Sequence, residues 1–70
     1  MSGYQVLLTW DEEDRIYVAR APDLPGCSAH GATREEAVKS IREAIDFWIE
    51  TAREDGEPVP EPRRYDLVAA

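Results

Sequence analysis

Between Thr33 and Pro58 the sequence encodes one amphipathic helix with both ends marked. Thr33 is a favoured N-cap, and Glu36 three residues later completes a capping box. Glu35 and Glu36 also put negative charge where the helix dipole favours it. Ala37, Val38, Ile41, Ala44, Ile45, Trp48, Ile49 and Ala52 recur at three- and four-residue steps, which predicts one broad apolar stripe. Phe47 lies beside that stripe and is expected to widen it. Arg34, Glu35, Lys39, Arg42, Glu43, Asp46, Glu50 and Arg53 fill the other side. Gly56 fits the position just past the helix end, and Pro58 forbids continuation. The spacing predicts a helix over residues 34–54.

The residues before it alternate instead. Tyr4, Val6, Leu8 and Trp10 fall on one side, Gln5, Leu7 and Thr9 on the other, so residues 4–10 read as a half-buried strand. Asp11-Glu12-Glu13-Asp14 suits a hairpin connection. Residues 15–21 repeat the pattern, with Tyr17, Ala19 and Ala21 opposed to Ile16, Val18 and Arg20, and the two strands should pair antiparallel. Pro22-Asp23-Leu24-Pro25-Gly26 stops the second strand, and residues 27–31 are expected to form a third at its edge. Pro58-Val59-Pro60-Glu61-Pro62 is a stiff connector, after which residues 65–68 can return as a short last strand.

Strands first and one helix after them predict a single α+β domain over residues 1–70, built in two layers. One helix covers one face of a sheet. The side carrying Tyr4, Val6, Leu8, Tyr17 and Ala19 has no charges and is assigned to the helix. The other side mixes Leu7, Ile16 and Val18 with Gln5, Thr9 and Arg20, too apolar for full exposure and too polar for a core. It reads as a protein interface, with Leu7, Ile16, Val18 and Arg20 its candidate contacts.

Size supports that reading. A domain of 70 residues buries only about 60% of the surface its unfolded chain exposes. Cys27 is the sole cysteine, so neither an internal disulfide nor a cysteine-built zinc site can staple it. Self-association remains. With 8 basic residues against 15 acidic ones, a net charge of −7 disfavours nucleic acid, which is bound by neutralising phosphate, and favours a basic partner. No apolar run reaches the roughly 20 residues of a membrane helix, and no signal peptide is visible, so a cytoplasmic protein is expected.

Candidates for catalysis are few. Cys27 and His30 invite a thiol–imidazole reading, but three residues apart on a strand they point to opposite faces. Cys27 shares its side with Ala29, as a small buried hydrophobe would. His30 has no His or Cys partner at ligand spacing. The Asp11–Asp14 stretch lacks the Gly and distal Glu of a calcium loop. Asp11 ends a strand, where a nuclease could carry a metal-binding carboxylate, but two further positioned carboxylates are missing. The residues predict no enzyme, no metal and no cofactor.

The stretch Pro22-Asp23-Leu24-Pro25-Gly26-Cys27, followed by Gly31, Thr33, Glu35, Glu36 and Ala37, resembles the HicB-like antitoxin family of small bacterial proteins. Tyr17 two strand positions before Ala19, and the segment Gly56-Glu57-Pro58-Val59-Pro60-Glu61-Pro62, extend the resemblance over about Tyr4 to Pro62. It implies three antiparallel strands and a helix, similar to a truncated ribonuclease H core without its catalytic carboxylates. In two-gene systems such proteins bind and block a small basic toxin that cleaves messenger RNA, and they assemble into dimers or tetramers. Full-length members often add a C-terminal DNA-binding domain, for which the residues after Pro62 leave no room, so the resemblance does not carry DNA-mediated autoregulation over to this chain. Pro25, Gly26 and Thr33 are expected to serve as turn and cap rather than as binding residues. The resemblance implies a module that neutralises such a toxin. The alternative is an orphan homo-oligomer of regulatory role with no toxin partner.

Overall fold

The computed structural model describes residues 3–62. Three strands, β1 (Leu7–Asp11), β2 (Ile16–Arg20) and β3 (Ser28–Gly31), form an antiparallel sheet in the order β1-β2-β3, followed by helix α1 (Arg34–Glu54). The predicted order of elements and the helix bounds match; the strand expected over residues 65–68 lies outside the described residues.

The expected strand over residues 4–10 is instead Leu7–Asp11. Leu7 pairs with Arg20 at the end of the β1–β2 ladder, so Gln5 would stand opposite Pro22, which has no N–H to give. At the other end Asp11 pairs with Ile16 and joins the strand. Its Oδ1 accepts the backbone N–H groups of Glu13 and Asp14 at 3.0 and 3.2 Å, which folds the acidic stretch into a side-chain-held turn. Arg15 closes that turn in the left-handed region, φ 55°. The second and third strands are each trimmed relative to residues 15–21 and 27–31, because Ala21 and Cys27 belong to the loop between them. The Ala21 N–H donates to the Cys27 carbonyl, while Leu24 and Cys27 donate to the carbonyls of Ala21 and Leu24. Gly26, φ 76°, completes this double turn, and Leu24 plugs into the core.

The helix forms where its caps direct. Thr33 Oγ1 accepts the Glu36 N–H at 3.1 Å, and Glu36 reaches back to the Ala32 N–H at 3.0 Å. At the far end the Glu57 and Gly56 N–H groups donate to the carbonyls of Ala52 and Arg53, a Schellman closure with Gly56 at φ 69°. The core lies between helix and sheet: Ala37, Ile41 and Ile45 on the helix, Ala19 on β2, and Ala21, Leu24 and Cys27 in the loop. Tyr4, Leu8, Tyr17 and Ala29 pack against it, on the face assigned to the helix.

Three apolar residues expected to face the core, Val6, Val38 and Phe47, are exposed. The helix packs mainly on β3 and least on β1, so Val6, on the predicted inner side, is 39% exposed. Phe47 does not widen the stripe; it is 71% exposed. At 3.6 residues per turn it lies about a third of a turn from Ile41, beyond the reach of the sheet. Among the described residues no helix is long and apolar enough to cross a membrane.

Candidate protein interface

The sheet's outer face is built by register. In an antiparallel ladder, directly opposed residues share a face. Leu7 therefore sits beside Arg20 and Ser28, Thr9 beside Val18 and His30, and Asp11 beside Ile16. The four candidate contacts, Leu7, Ile16, Val18 and Arg20, come together on this one face, away from the helix. Leu7 is more than half exposed, Ile16 and Val18 are half-buried, and Arg20 and His30 are exposed. Leu7, Ile16 and Val18 form an apolar diagonal among polar neighbours. No helix covers it among the described residues.

The catalytic candidates are not brought together. Cys27 lies in the core, where burial pushes its thiol pKa up. His30 is exposed on the opposite face, beside Val18. Asp11 spends Oδ1 on its own turn. Among the described residues no group of three or more His, Cys, Asp or Glu side chains is placed to hold a metal ion.

Two surface features escaped the sequence reading. Trp10, Tyr17 and Arg34 form a stack: the two rings meet edge-on at 4.9 Å, and the Arg34 guanidinium lies 5.2 Å from the centre of the Tyr17 ring. The second is a groove of about 460 Å³ between the C-terminal half of α1 and the Pro25–Ser28 turn, with Phe47 on its rim. The Trp48 indole N–H donates to the Pro25 carbonyl at 3.0 Å and fixes its wall. One signal for this groove was available: Glu43, Glu50 and Glu54 stand four before, three after and seven after Phe47, on its own ridge of the helix. An apolar residue so surrounded belongs to a polar face.

Residues 4–70 match the family model described as HicB-like antitoxin of bacterial toxin–antitoxin system. A UPF0150 protein of Thermoplasma acidophilum is 44% identical over 65 residues, 93% of each chain. Another, of Synechocystis, is 45% identical over 66 residues, 94% of this chain and 78% of that one. Among solved structures, the N-terminal domain of Burkholderia pseudomallei antitoxin HicB matches with a TM-score of 0.74 and 35% identity, covering 91% of this chain and 76% of that one.

Proposed function

The chain belongs to the HicB-like antitoxins of bacterial toxin–antitoxin systems, and from that premise we propose that it neutralises a small basic mRNA-cleaving toxin by binding it. The observation that carries this reading is the fold it shares with the N-terminal domain of an antitoxin HicB. The net charge of −7 supports it from an independent side, because an acidic surface speeds encounter with a basic partner and suppresses binding to the partner's RNA substrate. On this reading the protein performs no catalysis and needs no cofactor. It occludes its partner in the cytoplasm. The outer sheet face supplies protein contacts in the assembly, a dimer or tetramer, through Leu7, Ile16, Val18 and Arg20.

The test is co-expression with the open reading frame beside its gene, which this reading requires to encode a short basic protein. The neighbour alone is expected to arrest growth, and co-expression to relieve the arrest and yield a complex that survives gel filtration. Val18→Asp is expected to break the complex or the self-association while the variant still melts cooperatively. An inert neighbour beside a lone oligomer would replace this reading with the orphan oligomer. Unfolding of Val18→Asp would place Val18 in the core and overturn the assignment of the face.

A further inference from the structure

We propose that the basic partner docks in the groove beside Phe47, on a cationic segment that offers an apolar side chain between lysines or arginines; this rests on the antitoxin reading and assigns that reading a surface. Phe47 is the most exposed large hydrophobic side chain among the described residues. The groove beside it is floored by Ala44, Trp48 and Cys27, and the Trp48–Pro25 hydrogen bond holds it open in one shape. An apolar side chain that entered would stack on a fixed aromatic wall, the arrangement typical of a binding hot spot.

Charge identifies the occupant. Glu43, Glu50 and Glu54 flank Phe47 along the helix, and Asp55 and Glu57 line the groove's far end. All five are exposed. Glu50, Glu54 and Asp55 stand at the C-terminal end of α1, where the helix dipole already carries negative charge. Carboxylates there oppose helix stability, and Arg53 is the one basic residue in the last turn. They do not stabilise the helix end, and a cation bound beside them would be favoured by the same field. Two copies meeting groove to groove would set their five carboxylates against each other, and nucleic acid is disfavoured by the same charges. The outer sheet face, which carries Arg20 and His30 among its apolar residues, is left for the second copy.

The experiment measures the affinity of the purified neighbour-encoded basic protein for the wild-type chain, Phe47→Ala, the double variant Glu50→Gln/Glu54→Gln, and Val18→Asp. Phe47→Ala is expected to weaken binding about thirty-fold while leaving the melting temperature unchanged. The double variant is expected to bind more weakly, with a shallower salt dependence, and to melt about 2 °C higher as the free protein. A merely structural role for these carboxylates would move the melt the other way. Wild-type affinity in both variants, with loss in Val18→Asp, would overturn the groove and leave the antitoxin reading standing on the sheet face. No binding by the wild-type chain would overturn both.

Discussion

Cys27 packs in the core with Ala19 and Leu24, and its burial disfavours the thiolate. A thiol pKa raised in the folded state contributes stability below the unfolded thiol's pKa and loses it as pH climbs through the folded value. The stability difference between wild type and Cys27→Ala should therefore shrink as pH rises from about 8 to about 10, read from paired denaturation curves. A difference that stays flat would mean the thiol ionises as freely as in the unfolded chain. The burial of this side chain was legible because Cys27 shares a side with Ala29 and opposes His30, although β3 begins only at Ser28 and Cys27 closes the loop before it. The left-handed Arg15 was not legible: nothing about an arginine asks for φ 55°, and only the four-residue turn held by Asp11 demands it.

At the scale of elements, legibility followed how locally each element is determined. The helix was read to its last residue because Thr33, Glu36 and Gly56 mark its ends within a few residues of themselves. The start of β1 was not, because it is set by Pro22 falling just past the end of the partner strand rather than by Tyr4 or Val6. The junction between β3 and α1 is also tertiary. A methyl group at Gly31 would stand 2.5 Å from the Ala37 nitrogen and 2.8 Å from the Glu36 carbonyl carbon. Backbone cannot yield as a flexible side chain would, so strand and helix would have to part. Gly31→Ala is predicted to destabilise the fold by about 1–3 kcal/mol, measured by chemical denaturation. An unchanged midpoint would mean that the helix start shifts freely on the sheet. In the sequence Gly31 stood only as the end of the third strand, since a close approach leaves no local pattern.

For the whole molecule, one helix set over β3 and the adjoining β2 leaves two surfaces of different character. The outer sheet face is apolar along Leu7, Val18 and Ile16, with Arg20 and His30 beside it. The groove beside the C-terminal half of the helix has Phe47 and Trp48 in its lining with Asp55 and Glu57, and Glu43, Glu50 and Glu54 neighbour Phe47 along the helix. The first was legible as soon as the strands were phased, because a one-residue alternation decides which side chains share a face. The second was obscured by assigning Phe47 to the stripe by proximity; its glutamate neighbours at helical spacing argued otherwise. On the proposed reading the domain pairs with itself through the first surface and holds a basic partner in the second. The measurement that tests this account most directly is cleavage of an RNA substrate by the purified neighbour-encoded basic protein, titrated with this chain. Cleavage is predicted to stop as the folded chain reaches stoichiometry with the nuclease and to resume in part when Phe47→Ala replaces it at the same concentration. Full-rate cleavage in excess of the folded wild-type chain would contradict it.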